Sequence, residues 1–366
     1  MKIQFDHQIF SQQIYGGISR YFTELIKRIN EENEFSVGTI FSNNVYLTKD
    51  IYPCLKPFLP NNHFRGKLKI LNYVNKLESL KKIKKSDFDI FHPTYFDDYF
   101  MKNLGNKPFV ITIYDMIHEK FNQKYFGSNS SRKIIIQKKK LAEKATKIIA
   151  ISNKTKMDII DIFDIDEKKI DVVYLGNSLI NNSTAQKRII DFDYILYVGN
   201  RSSYKNFDGL LKVLPYLFSN NNLKLICAGG GDFNLNESNY IKSLGLTDKV
   251  LSVSKINDDI LSNLYANALF FIFPSLYEGF GIPIIESFHC GCPVLSSNCG
   301  SLPEIGGEAA LYFDPYNQQS FFDTASNLIN NELLRNELKL KGTERIKNFS
   351  WDKTFQQTLN VYKSVI

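Results

Sequence analysis

The sequence predicts an α/β protein of two Rossmann-like parallel-sheet domains facing across a cleft, and three observations carry that expectation. The chain has 366 residues, enough for two domains at about 100–200 residues each. Short apolar runs rich in β-formers alternate with longer polar helical stretches, the pattern of a parallel sheet with crossover helices. The alternation halts in an Asn- and Ser-rich stretch, Gly176–Lys187, and then restarts, which marks a linker.

Taken in order, Ile3–Phe5, Phe88–Phe91, Phe109–Tyr114, Lys147–Ile151 and Asp171–Tyr174 read as strands of the first domain. Tyr194–Val198, Leu223–Ala228, Val250–Val253, Leu269–Phe273, Pro293–Ser296 and Ala310–Phe313 read as strands of the second. Each is short and dominated by branched or aromatic residues, which pack well on a pleated surface. In open parallel sheets ligands bind beyond the carboxyl ends of strands, so functional residues belong in the loops that follow them.

A composition of 43% hydrophobic, 14% aromatic and 23% charged residues is that of a folded globular protein and excludes collagen-like, coiled-coil and disordered chains. The longest apolar run, Ala268–Pro274, is far below the ~20 residues that span a bilayer, and Met1–Gln8 holds no apolar signal core. The expected address is cytoplasmic. Five cysteines, of which Cys290, Cys292 and Cys299 lie close together, form neither a disulfide framework nor a tetrahedral metal set, so no metal is expected.

The net charge of +7 is unevenly placed. Eight basic residues lie between Arg65 and Lys85 against the single acid Glu78, and a second cluster includes Arg132, Lys133, Lys138, Lys139, Lys140, Lys144 and Lys147. Both are interleaved with Ile and Leu. Two readings fit: solvated helix faces, or basic amphipathic segments on an anionic membrane surface. No basic-aromatic recognition motif accompanies the charge, so nucleic acid is not an expected partner.

The strongest chemical signal is Pro274-Ser-Leu-Tyr-Glu-Gly-Phe-Gly-Ile-Pro-Ile-Ile-Glu286. A strand runs through a two-glycine loop into a helix whose start carries Pro283 and whose end carries Gly291. Backbone N–H groups of Gly279, Phe280, Gly281 and Ile282 at such a helix start suit a diphosphate. Glu278 in the loop and Glu286, read as the first helical turn, are carboxylates suited to sugar and ribose hydroxyls. Arg201 and Lys205 follow the strand ending at Val198, where a fork-shaped donor and a point charge can neutralise a leaving diphosphate. Gly16 and Gly17 follow the first strand, where backbone can approach phosphate or sugar closely. Asp87-Phe-Asp89 and Asp191-Phe-Asp193 have a metal-binding D-x-D shape but stand at the starts of strands, the wrong end for a ligand. Gly229-Gly-Gly-Asp232 lacks dinucleotide spacing, and no Walker or Ser-His-Asp arrangement is present.

Glu278 and Glu286 within E-G-F-G-I-P-I-I-E resemble the paired-glutamate signature of retaining glycosyltransferases of family 4, which have the GT-B fold. The resemblance extends through Gly291-Cys-Pro-Val294, Gly300-Ser-Leu-Pro-Glu304, Asp314-Pro315, Tyr197-Val-Gly-Asn-Arg201 with Lys205-Asn206, and Gly229–Gly231. Gly16-Gly-Ile-Ser-Arg-Tyr21 is similar to the glycine loop of mannosyltransferase-like members. It implies an acceptor-binding domain over residues 1–177, onto which 349–366 cross back, and a nucleotide-sugar domain over 178–348. It also implies Arg201 and Lys205 on the donor diphosphate, Glu278 on a donor-sugar hydroxyl and Glu286 on the ribose. The reaction implied is hexosyl transfer with retention, without a cofactor or metal, from a nucleotide sugar (GDP-mannose first, or a UDP-sugar) to a glycan or lipid-linked acceptor in surface-polysaccharide synthesis. That would put the protein in the cytoplasm or on the inner face of the plasma membrane. Many relatives carry a His before the Asp that follows the third N-terminal strand; here the stretch reads Thr112-Ile-Tyr114-Asp115, and either His118 replaces that histidine from the same loop, the favoured expectation, or the role is lost. His92, Tyr114 and Asp115 are acceptor-contact candidates, each with a plain structural alternative; His7, His63 and His289 have no assigned role.

Overall fold

The computed structural model describes residues 1–29, 32–62, 64–121, 129–179, 188–201, 203–219 and 221–366. His63 and most of the expected linker lie outside the described residues. The chain divides into two compact units, Met1–Leu175 with Trp351–Ile366, and Gly176–Ser350.

In the first unit β1 (Lys2–Phe5), β2 (Glu34–Val37) and β3 (Ile90–His92) form a parallel sheet in the order β2-β1-β3. The strands β4 (Val110–Ile113), β5 (Lys147–Ala150) and β6 (Ile170–Val172) continue as β4-β5-β6, joined to β3 by a parallel bridge between Phe91 and Phe109. β2 was not foreseen. Its sequence, Glu-Phe-Ser-Val, alternates polar with apolar and sits at the sheet edge with one face toward solvent, so it lacks the continuous apolar run of the buried strands.

At the switch between β1 and β3, Asp6 is wholly buried and accepts hydrogen bonds from Thr94 N (2.8 Å), Thr94 Oγ1 (2.5 Å) and Gln8 Nε2 (2.6 Å). One carboxylate thus ties together the loops that leave two adjacent strands, and burial raises its pKa. The C-terminal helix Trp351–Lys363 packs on this unit: Tyr362 Oη lies 2.5 Å from His92 Nδ1, Thr354 Oγ1 donates to Tyr174 O (2.7 Å), and Arg28 pairs with Asp352 (2.6 Å).

His92 is therefore not an acceptor contact. It is fully buried, its Nε2 lies 3.0 Å from Thr112 Oγ1, and it bridges β3, β4 and the last helix. Burial pushes its imidazole down to about 3, and that of the buried His7 likewise to about 3. Both are neutral in the fold and protonate near 6.5 in the unfolded chain. The unfolded state then binds more protons between about pH 6.5 and pH 3, so stability present at neutral pH is lost as pH falls through that window. The urea midpoint is expected to drop from pH 7 to pH 5, and His92→Gln should flatten the slope by about one proton; an unchanged slope refutes this role.

In the second unit β7 (Tyr194–Val198), β8 (Lys224–Ala228), β9 (Val250–Val253), β10 (Phe270–Phe273), β11 (Val294–Ser297) and β12 (Ala310–Phe313) make one parallel sheet, ordered β12-β11-β10-β7-β8-β9. Leu210, Leu214, Leu225, Phe270, Ile272, Leu295 and Leu328 belong to a continuous core on one side of it. β7 and β10 are neighbours although two strands separate them in sequence, so the winding reverses between them and a crevice opens at their carboxyl ends.

Candidate active site

The crevice at the β7/β10 switch receives two loops. The one after β7 carries Gly199, Arg201 and the short 3-10 turn Ser203–Lys205; the one after β10 carries Ser275–Gly281 and enters the helix Ile282–His289. Leu276 N donates to Tyr204 O (2.8 Å), which stitches the loops together. Across that stitch Lys205 Nζ donates to Glu278 Oε1 at 2.6 Å, with the two side chains only 15% and 12% exposed. Asn206, which follows, takes the left-handed region (φ 55°) and starts the helix Phe207–Leu217.

The Glu278 loop is held from behind by the segment after β11. Ser301 Oγ donates to Glu278 O (3.0 Å) and Phe280 O (2.8 Å), and Ser297 Oγ donates to Ser275 O. Gly300 has φ 62°, and a Cβ there would stand 2.8 Å from Glu278 N and 3.0 Å from Glu278 O. Gly300→Ala should therefore push the loop aside, costing about 1–2 kcal/mol of stability and roughly tenfold or more in turnover. Thermal melting and steady-state rates check this; a variant with wild-type kinetics would show the loop position to be unimportant.

Gly281 caps the helix Ile282–His289 at φ 108°, and a Cβ would meet Leu302 Cδ2 at 2.9 Å, so glycine is required by conformation and by space. Pro283 is the second helical residue, where its missing N–H leaves nothing unsatisfied. Glu286 is the fifth residue of this helix rather than part of its first turn as expected; it is nearly buried and accepts from Tyr265 Oη at 3.3 Å. Burial and then the nearby Glu286 carboxylate raise the Tyr265 phenol well above its usual value. Phe280 is a core residue, edge-on to Phe349 at 5.8 Å, so its ring is not at the ligand; only its backbone remains a candidate contact.

Arg201 follows β7 as expected, and its guanidinium is bonded within the protein. Its Nε donates to Glu237 Oε1 (2.8 Å), Nη1 to Gly229 O (3.1 Å), and Nη2 to Gly230 O (3.3 Å), Gly231 O (3.2 Å) and Asp232 O (3.0 Å). The side chain is 3% exposed and its guanidinium lies over the Phe233 ring at 4.9 Å. A guanidinium so committed holds the three-glycine turn after β8, whose residues take φ 86°, 73° and 73°, instead of projecting a fork toward a diphosphate. Glu237 is doubly engaged: it neutralises Arg201 and closes the capping box with Asn234 at the start of the helix Leu235–Ser243.

In the first unit Gly16 precedes the helix Gly17–Lys27, and Gln13 Oε1 accepts from Ser19 N (3.2 Å) at its first turn. Tyr114 is buried edge-on to Tyr21, and its hydroxyl has no hydrogen-bond partner among the described residues. Asp115 caps the turn that follows, accepting from Ile117 N (3.1 Å). His118 lies on the short helix Ile117–Phe121, half-buried, its imidazole lowered by burial and by the cation of Lys138. Lys138 itself is buried and paired with Glu119 (3.0 Å), so it does not belong to the exposed basic cluster that the sequence suggested. Among the described residues no group of three or more His, Cys, Asp or Glu side chains is placed to hold a metal ion. Burial pushes the Cys290 and Cys292 thiols up to about 12, so both stay protonated. Asp87 and Asp89 engage Lys2 at the amino ends of β1 and β3, opposite the carboxyl ends of these strands.

Comparison with known proteins places this geometry. Residues 181–345 match the family described as Glycosyl transferases group 1, and residues 15–178 match Glycosyltransferase Family 4. An uncharacterized glycosyltransferase of Methanocaldococcus jannaschii is 28% identical over 298 residues, covering 75% of each chain. O-antigen chain mannosyltransferase B of Escherichia coli is 30% identical over 233 residues, covering 60% of this chain and 61% of its own length. Among solved structures, sucrose-phosphate synthase from Thermosynechococcus elongatus superposes with a TM-score of 0.75 at 16% identity, covering 100% of this chain and 98% of that one. Anabaena HepE, solved with UDP and glucose, gives 0.73 at 17% identity over the full length of both chains. Two Rossmann-like parallel sheets and these neighbours lead to one conclusion: the chain has the GT-B fold, its first domain similar to the Glycosyltransferase Family 4 model and its second to the Glycosyl transferases group 1 model.

Proposed function

We propose that the protein is a retaining glycosyltransferase that moves a hexose, mannose from GDP-mannose in the leading reading, from a nucleotide sugar to a hydroxyl of a lipid-linked glycan. The observation that carries this reading is the Lys205–Glu278 pair at 2.6 Å across the β7/β10 switch, beside a glycine-capped helix start. A cation and N–H groups suit a leaving diphosphate, and a carboxylate suits a sugar hydroxyl, in one crevice. Glu286, on the glycine-capped helix and 3.3 Å from Tyr265 of the preceding helix, suits a ribose. The mannosyl donor is supported by the O-antigen mannosyltransferases among the relatives. Attack from the face that the diphosphate leaves, with the leaving phosphate oxygen taking the acceptor proton, gives retention without a carboxylate pair flanking the anomeric carbon.

Thermal shift with GDP, UDP and ADP separates the donors, since a ligand at 100 times its dissociation constant adds about 2.7 kcal/mol. Product anomeric configuration by NMR then tests retention. Activity should survive EDTA, because Lys205 and the helix start supply the positive charge that a cation would bring; a strict Mg²⁺ or Mn²⁺ requirement contradicts this. The rival reading, a sugar-nucleotide-binding protein without transfer, predicts a GDP or UDP shift with neither transfer nor donor hydrolysis.

A further inference from the structure

We propose that the outer face of the helix Lys67–Lys85 is a docking surface for an anionic lipid bilayer. The helix buries one narrow stripe, Leu71, Asn75, Ser79 and Ile83, each four residues from the last. Two of these four are polar. Asn75 bonds Ile40 N and Phe41 N (both 3.1 Å) and Ser79 bonds Tyr99 Oη (2.6 Å), so this stripe attaches the helix largely by hydrogen bonds.

The large apolar side chains lie on the other side. At ~100° per residue Tyr73 and Leu77 stand opposite the buried stripe, with Ile70 beside them. They are 63%, 51% and 49% exposed, and Leu68 near the helix start is 58% exposed. A helix whose outside faced only water would carry its polar residues there. Instead Lys69, Lys81, Lys84 and Lys85 flank the apolar row, all exposed. Between Arg65 and Lys85 the single acid is Glu78. Leu77 and Leu80 line a shallow concavity of about 390 Å³ with Lys81, Lys84 and Lys85. At the other end of the helix Phe64 and Leu68 border a pocket of about 670 Å³ beside Arg65 and Lys67.

The occupant follows from charge. An apolar row bordered by cations on both sides matches acyl chains beneath anionic headgroups: the Tyr73 and Leu77 side chains enter the interface while lysine stems reach up to phosphates. The helix Asn129–Lys144 offers no such face. Its Lys138 pairs inward with Glu119 and its Lys140 with Asp98, and Ile136 alone is exposed among its large apolar residues. No helix among the described residues is long and apolar enough to cross a membrane, so attachment of this kind is peripheral. The inference does not depend on the proposed donor chemistry, and its test needs no turnover.

The full-length protein is sedimented with phosphatidylcholine vesicles and with phosphatidylcholine–phosphatidylglycerol vesicles at low and high salt. It is expected to bind the anionic vesicles, more weakly as salt rises, and to leave the neutral ones. Lys81→Glu/Lys84→Glu/Lys85→Glu should lose roughly 10²-fold in partition, since each cation near such a surface contributes about fivefold. Tyr73→Ser/Leu77→Ser should lose at least tenfold with an unchanged melting temperature, whereas the control Lys139→Glu should stay within twofold. Wild-type protein that ignores anionic vesicles overturns the proposal. So does a helix variant that binds like wild type, or a dimer in solution that Tyr73→Ser/Leu77→Ser dissociates without any vesicle binding.

Discussion

Lys205→Ala is expected to lower turnover on a nucleotide sugar by 10²-fold or more, about 3 kcal/mol of transition-state stabilisation, while the protein stays folded. Lys205 leaves the first loop of the β7/β10 switch and meets Glu278 from the second at 2.6 Å, in a spot where both are largely shielded from water. Opposite charges there interact more strongly than at the surface, and a developing negative charge on a departing diphosphate would gain from the same cation. Glu278 pairs with that cation, so a donor diphosphate competes with the carboxylate for it. Glu278→Gln should consequently lower kcat yet hold or tighten binding of the free nucleoside diphosphate, because Lys205 is released and a nearby negative charge is gone. Calorimetry with GDP and UDP on both variants decides the matter. Unchanged turnover in Lys205→Ala removes the lysine from the chemistry, and weaker nucleotide binding in Glu278→Gln means that the carboxylate touches the nucleotide itself.

Strands were legible where apolar residues dominate the run, in the buried centre of a sheet and at its edge alike. Tyr194–Val198, Val250–Val253 and Ala310–Phe313 were readable to the residue. β2 was not legible, because half of its four residues are polar and no continuous apolar run marks it. Strand ends also shifted where a loop residue is apolar for a packing reason. Phe88 is buried just before β3, so the expected strand began two residues early.

The site was legible where chemistry and backbone need coincide. Gly281 could be picked out because a backbone position that admits no side chain leaves a glycine in the sequence, whereas Gly300 entered only through the family resemblance. The partners were not legible. Nothing in the local sequence around Glu237, Tyr265 or Ser301 shows that these residues neutralise Arg201, touch Glu286 and hold the Glu278 loop, since each lies 21 to 36 residues from its partner. A charged residue after a strand looks the same on paper whether it faces a ligand or closes a turn. Asp6 and His92 teach the same lesson, as both stand at strand ends where ligand contacts gather, and both are buried in internal networks.

Arg201→Ala separates these two possibilities most sharply, and its expected effect is on stability. The guanidinium satisfies Glu237 and four carbonyl oxygens of the Gly229–Asp232 turn with nearly all of its donors. Removing it leaves a carboxylate, 18% exposed, without its counter-charge and orphans acceptors that water reaches only in part. Loss of one partner from such a pair costs about 3 kcal/mol. The urea midpoint should fall accordingly, while the fraction that remains folded keeps turnover within about tenfold of wild type, far above Lys205→Ala. Arg201→Lys should not rescue the midpoint, because a point charge cannot reach a carboxylate and a row of carbonyls together. Glu237→Gln should cost less, since an amide oxygen still accepts from Nε and the helix cap survives in part. A well-folded Arg201→Ala protein with its midpoint unmoved and its turnover down 10²-fold would return Arg201 to the donor diphosphate, where the sequence first suggested it.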